Sequence, residues 1–526
     1  MSPQYLYPVP ARRLGGVAGM IAAVAALVAF ARTTPAIVTD SDIAVTELYT
    51  ELATSGELRV GPYSRFGWNH PGPLYFYIQA PLYALAGHRA PALFAGALAI
   101  NLVAIGLLAW AIAREQRGPI LVLAIAACVL LAWRAPRFLA SPWTAHVPVL
   151  PALTFVVLCA AIAAGRVALL PVAAIVGSFV VQTHVGFAPM TAVLSAATLL
   201  VIVLSGHRRD RRLARTVVAT LGTLAALWSL PIVEALEHEG GNAAALWRFF
   251  VTGATATAAH SWTEVTAVAS YALIGVMRPD FALPWGGHFA PVNLGVAVPY
   301  AIAQAVMLAA IGWRDLVSGR RFDGSLALTS LLATFVSVWS ITRIRDDILD
   351  HEIFWLSALG ALNLAIIVAV GVRLFVAAAG WTGRTHPRVA TVGCVLALIS
   401  AIAVGARALH DVTGFERRRT DRVVIVRMHE AIRRYIADEH VTKPLVTIES
   451  AKWSQAAGVL LRLHRDGNSP SVPDAWIPMF TRAFAARGDE DATISIAGAV
   501  THADLQRRPD TVLLFGASGT YVDAFR

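Results

Sequence analysis

Along the chain, long apolar runs alternate with short polar breaks, and about eleven of these runs approach the ~20 residues a helix needs to cross a bilayer. They cover roughly residues 14–32, 89–113, 118–134, 144–164, 167–181, 187–206, 215–235, 293–312, 324–341, 353–377 and 388–407. The segment HPGPLYFYIQAPLYALAG, from His70, is apolar and aromatic but short and proline-rich, which predicts a helix lying in the interface plane. Thr46–Glu57 predicts a short amphipathic helix before it. From about Ala408 charges become frequent. There Arg422–His440 and Trp453–His464 read as helices, and KPLVTIES and TVLLFGAS as short buried strands.

Loop charge orients this pattern. With the N terminus cytoplasmic, inside loops hold Arg114 and Arg117, then His207–Arg215 (HRRDRRLAR), Arg314 with Arg320 and Arg321, and Arg384 with Arg388. The opposite loops hold Asp40, Asp42, Glu237, Glu239, Asp280 and the Asp346–Glu352 cluster. The positive-inside rule then places the tail outside. The expected architecture is an all-α polytopic membrane domain over 1–407 with an extracytoplasmic α/β domain over 408–526.

Composition agrees. The 526 residues are 57% hydrophobic and 14% charged, against about a quarter charged in soluble domains, with a mean hydropathy of +0.61. A net charge of +10 would suit nucleic acid, but the arginines sit in short loops between apolar runs. Lysine occurs only at 443 and 452. Cys128, Cys159 and Cys394 all lie in apolar runs and offer neither a disulfide framework nor metal spacing. Arg12 and Arg13 before Leu14–Phe30 predict an uncleaved anchor. Heavy use of Ala, and of Arg over Lys, points to a GC-rich bacterium, and the apolar spans are then expected in its inner membrane.

Chemistry gathers in the outer loops. Asp40 and Asp42 follow the first span; Thr39 or Asp40 would cap the next helix, yet two acids in three residues exceed what a cap needs and suit base or metal-ligand work. In ITRIRDDILDHEIFW, Ile341–Trp355, Arg343 and Arg345 would hold phosphate while the acids hold a metal or sugar hydroxyls, the spacing of Asp347, Asp350 and His351 suiting a ligand group on one helix face. Read blandly, the same loop is a solvated charged turn. Arg134, Arg137, His146, His184 and the loop Met277–Phe289 are further outer-face candidates. Walker, dinucleotide, HExxH and nucleophile-elbow signatures are absent.

In order and spacing these pieces resemble the GT-C superfamily of integral-membrane glycosyltransferases, above all lipid A aminoarabinose transferases and protein O-mannosyltransferases. The resemblance is carried by Asp40-Ser41-Asp42, by Thr46–Glu57 ending Ser-Gly-Glu, and by His70-Pro71-Gly72-Pro73-Leu74-Tyr75, and is best over residues 14–206. It implies an inverting transferase moving a sugar from a polyprenyl-phosphate donor to a hydroxyl of a glycan, lipid or protein. Either Asp40 or Asp42 would be the base, and His70 would contact donor phosphate beside Tyr75 of the substrate pocket. A divalent metal (Mg, Mn or Ca) would take ligands from Asp42, Asp350 and His351.

The rival reading is a flippase or transporter of lipid-linked sugars. Such proteins keep ionisable groups near the midplane, whereas these spans hold Asn101 and Gln304, uncharged, and Glu234 near a helix end.

Overall fold

The computed structural model describes residues 9–115, 118–205, 211–252, 260–379, 387–419 and 421–525. Fifteen helices come first: α1 (Val9–Thr33), α2 (Ser41–Ser55), α3 (Leu74–Leu85), α4 (Pro91–Glu115), α5 (Pro119–Arg134), α6 (Val149–Ala163), α7 (Leu170–Thr183), α8 (Ala188–Leu204), α9 (Arg211–Glu237), α10 (Gly241–Trp247), α11 (Trp262–Leu273), α12 (Leu294–Val317), α13 (Arg321–Ile341), α14 (Asp350–Ala378) and α15 (Pro387–Arg417). The remainder alternates: α16 (Asp421–Asp438), β1 (Pro444–Ile448), α17 (Trp453–Arg465), α18 (Ile477–Phe480), β2 (Ala492–Ala497), α19 (Ala499–Leu505), β3 (Val512–Ala517) and β4 (Thr520–Phe525).

Every expected span falls on an apolar helix. Seven described helices are long and apolar enough to cross a membrane, and the apolar parts of α1, α5, α6 and α7 are shorter. The chain is a multi-pass membrane protein with a C-terminal α/β region. Helix α3 has 12 residues, about 18 Å at 1.5 Å per residue, and is too short to span. Of the basic loops, Arg117, residues 207–210 and Arg384 lie outside the described residues.

The chain forms two compact units. The first comprises residues 1–58, 76–97 and 413–526. Its sheet has the order β1-β2-β4-β3, with β1 and β2 parallel and the other pairs antiparallel. Parallel neighbours need a crossover, and α17 lies in the connection between them. Ala31, Tyr83, Ala86, Ala92 and Leu93 form a buried cluster where the end of α1 meets α3 and the start of α4. Helix α2 ends at Gly56 in the left-handed region (φ 78°), whose N–H caps the Ala53 carbonyl.

The second unit comprises residues 59–75 and 98–412. Its helices are tied by uncharged and charged polar groups. Asn363 of α14 donates to Gln304 of α12 (3.2 Å) and Thr334 of α13 (3.1 Å), and accepts from Ser330 (2.5 Å), all buried. Elsewhere on these helices the fully buried Asp315 accepts from Arg373 at 2.6 Å and from Arg320 at 3.1 Å.

Candidate active site

In the first unit the acidic motif is clamped from several sides. Asp40 occupies the N-cap position of α2, but its side chain makes no capping hydrogen bond. Instead Oδ2 accepts from Arg419 Nη2 at 2.8 Å, and Asp40 is only 4% exposed. Asp42 lies in the first turn of α2, partly buried. Between the two acids Ser41 has φ 52°, a left-handed conformation unfavourable for any residue with a Cβ. Such strain persists only where surrounding contacts impose it. Here Thr39 donates from its hydroxyl to Glu47 at 2.6 Å, and Arg422 donates to the Ala36 carbonyl at 2.9 Å. The backbone of α17 closes on Thr39: a Cβ at Gly458 would stand 2.6 Å from the Thr39 carbonyl oxygen.

Sequence reasoning missed Glu47, which is buried on α2. Arg465 of α17 donates to it at 2.7 Å and to Glu51 at 3.2 Å, and also contacts the Tyr83 hydroxyl. Tyr83 donates to Glu47 at 3.1 Å, and His88 Nδ1 lies 2.6 Å from Glu51. Burial, then the two glutamates, holds the Tyr83 phenol well above its ordinary value, so the hydroxyl stays protonated and donating. A signal was present in the sequence: like charges at i and i+4, as in Glu47 and Glu51, repel unless a distant cation joins them.

In the second unit, residues 61–70 carry a row of rings ending in imidazoles. Phe66 and Trp68 pack on Phe249, with centroids 4.9 and 5.4 Å apart, and Trp68 meets Phe250 at 5.5 Å. Arg345 lies over the Phe249 ring at 3.9 Å and donates to its carbonyl. This aromatic edge belongs to a π-helical turn, Arg248–Thr252, a departure from α geometry often found at functional sites. Arg343 is exposed and stacks on Trp339 at 5.1 Å.

His70 is buried and stacks on His184 at 4.6 Å. It does not begin α3 but precedes it by four residues, pinned by its own N–H to the Pro62 carbonyl at 2.7 Å. His70 Nδ1 accepts from Val185 N–H at 3.0 Å, and His184 Nδ1 from Gly186 N–H at 3.2 Å. Both imidazoles therefore carry their proton on Nε2. Burial, then His184, pushes the His70 pKa well down, and burial pushes His184 to about 4. The pair is neutral at physiological pH and offers N–H donors rather than cations.

A second aromatic group surrounds the start of α14. Trp143 and Trp285 stack in parallel at 5.9 Å, and His351 lies 4.8 Å from Trp143. His146 packs against both tryptophans and bonds Ser141 (2.8 Å) and the Pro284 carbonyl (3.0 Å). Arg137 lies over Trp285 at 5.5 Å. Asp350 accepts from Gly286 N–H at 2.9 Å and stands 3.7 Å from His351. Asp347 precedes the helix, exposed, 3.5 Å from His288, so the three residues do not share one helix face. Tyr75 is fully buried and donates to the Pro142 carbonyl at 2.7 Å, which anchors the first turn of α3. Among the described residues no three His, Cys, Asp or Glu side chains gather closely enough to hold a metal ion.

No protein-family profile and no curated protein matches the sequence. Solved structures do. The crystal structure of ArnT from Cupriavidus metallidurans bound to undecaprenyl phosphate matches with a TM-score of 0.53 and 13% identity, over 97% of this chain and 98% of that one. ArnT from the same organism in the apo state gives 0.49 and 14%, with the same coverage. The cryo-EM structure of the arabinofuranosyltransferase AftD from Mycobacteria gives 0.35 and 12%, over 96% of this chain and 41% of AftD. The first match shows the fold along nearly the whole chain: this chain shares the membrane fold of that ArnT.

Proposed function

We propose that this protein is an inverting membrane glycosyltransferase that moves a sugar from a polyprenyl-phosphate donor to a hydroxyl acceptor on the outer face of a bacterial inner membrane. One carboxylate of the Asp40–Asp42 pair takes the acceptor proton. The acceptor oxygen then bonds to the anomeric carbon as the bond from that carbon to the phosphate oxygen breaks. The lipid phosphate leaves with the electron pair. Charge grows on that phosphate in the transition state, where preorganised donors count most. Within the second unit, and as a separate part of the proposal, Arg343 and Arg345 offer cationic donors to a phosphate, and His70 and His184 offer neutral N–H groups of fixed tautomer. Aromatic faces such as Trp143 and Trp285 suit the apolar side of a sugar ring.

The observation that carries this reading is the fold match, end to end, to a protein solved with undecaprenyl phosphate. The buried Asp40 and the strained Ser41 between the two acids agree with it, since strain concentrates where geometry is functional. Outward orientation rests on the loop charges. The test is reconstitution in vesicles with labelled polyprenyl-phosphate sugars and glycan, lipid and protein acceptors. Transfer of label with release of polyprenyl phosphate supports the reading. Intact donor crossing the bilayer without release means a transporter instead.

A further inference from the structure

The C-terminal region holds a cleft that the transfer chemistry leaves unused. It has a volume of ≈ 210 Å³ and is lined from the end of α2, the end of α17 and the loops 468–471 and 483–490. Its floor is apolar: Leu52 and Phe484 are buried, and the His464 ring meets Phe484 at 5.4 Å. Its rim is polar and mixed in charge, with Glu57, Asp489 and Glu490 against Lys443 and Arg487.

The rim is built rather than loose. Glu490 accepts from Arg487 N–H (2.6 Å), Gly488 N–H (2.9 Å) and Ser471 Oγ–H (3.0 Å), so three of roughly four acceptor positions are filled and the loop is folded around it. The neighbouring Asp491 fastens the same loop to the start of β1 through Thr442 and Lys443 N–H groups, at 2.7 and 2.9 Å. Lys443 pairs with Asp489. By contrast the side chains of Glu57, Asn468, Ser469 and Arg487 make no hydrogen bond to protein among the described residues, leaving donors and acceptors open around a held frame.

From this geometry we infer that the cleft binds one pyranose unit, neutral or amino-bearing, of a carbohydrate. A pyranose has an apolar face for the Phe484–Leu52 floor and a ring of hydroxyls, each both donor and acceptor, for the rim. The volume falls below the about 300 Å³ of the smallest drug-sized sites, which suits a single ring. Three carboxylates against two cations, one of them already paired with Asp489, disfavour a phosphorylated or uronic sugar. The inference is independent of the transferase reading, because sugar occupancy of this cleft needs neither donor lipid nor base.

Saturation-transfer NMR and calorimetry on the full-length protein in nanodiscs test it, with glucose, mannose, galactose, glucosamine, glucuronate and glucose 6-phosphate as probes. Expected is binding of at least one neutral or amino sugar. Binding should weaken by about tenfold or more in Asn468→Ala and in Ala483→Trp, which fills the cleft from an exposed position. Binding should persist in the Asp40→Asn/Asp42→Asn protein, separating this site from the proposed active site. An unchanged melting temperature shows that the two cleft variants are folded. No binding by any neutral or amino sugar, stronger binding of the anionic sugars, or binding indifferent to both cleft variants overturns the assignment.

Discussion

Arg419 donates a hydrogen bond to Asp40 across 379 residues of sequence, at 2.8 Å, and holds a carboxylate that is 4% exposed. Removing one partner of a buried charge pair leaves the other desolvated, and that cost exceeds the net contribution of the pair. Arg419→Met should therefore destabilise the first unit by about 1–3 kcal/mol, the lower part of the range applying because the Arg419 side chain is 31% exposed and screened. Asp40→Asn in the same background should recover part of the loss. Thermal unfolding of the four proteins of this cycle reads the coupling, and additive losses would contradict the pairing.

Gly458 is the position where α17 touches the acidic motif. A methyl there meets the Thr39 carbonyl oxygen at 2.6 Å, an approach that backbone must relieve by moving. Gly458→Ala should lower stability by about 1–3 kcal/mol. It should also reduce kcat more than KM, because Asp40 follows Thr39 directly. A variant with normal kcat would show that the motif tolerates the shift.

Much of this architecture is legible in the sequence because bilayer spans leave a strong pattern, and all eleven apolar runs fall on helices. The strands are less so. β1 and β3 appear as apolar runs, but half of β3 is exposed and none of it is fully buried, and β2 and β4 escape notice. β4 carries the fully buried Asp523, satisfied by His502 at 2.9 Å and Gln506 at 2.8 Å, which masks its apolar character. Helix α11 buries Val265, Val268, Ala269 and Ala272 at helical spacing, but its 12 residues fall short of a span and give a weaker signal. In the candidate site, Asp40 and Asp42 stand out by spacing. Arg419, Arg465 and the rings around His70 do not, because their partners are set by tertiary packing.

The His70–His184 pair makes stability depend on pH. Both are held neutral when folded, His184 to about 4, whereas the unfolded chain takes up protons near the ordinary histidine value of 6.5. Between those values the unfolded state binds more protons, so stability falls as the pH drops from about 6.5 toward 4. Melting temperatures over that window should show the decline, and His184→Gln should make it shallower. An identical slope in the variant would remove His184 from the account.

Asn363 joins three helices of the second unit through Gln304, Thr334 and Ser330. Interhelical hydrogen bonds in membranes contribute about 0.6–2 kcal/mol each. Asn363→Ala should cost about 1–3 kcal/mol, since it also takes a hydrogen-bond partner from three buried groups. Unfolding in mixed micelles by sodium dodecyl sulfate measures this. A value near zero would mean the partners re-pair among themselves.

The central claim is that the Asp40–Asp42 pair supplies the base for sugar transfer. Its most direct test is single-turnover release of polyprenyl phosphate from a labelled donor by the wild-type protein and by Asp40→Asn/Asp42→Asn, in the same nanodiscs and with acceptor in excess. General-base removal costs about 10²–10⁴ in rate. The predicted result is a fall of at least about 10² with donor-lipid binding unchanged. Turnover at the wild-type rate in the double variant would contradict the account.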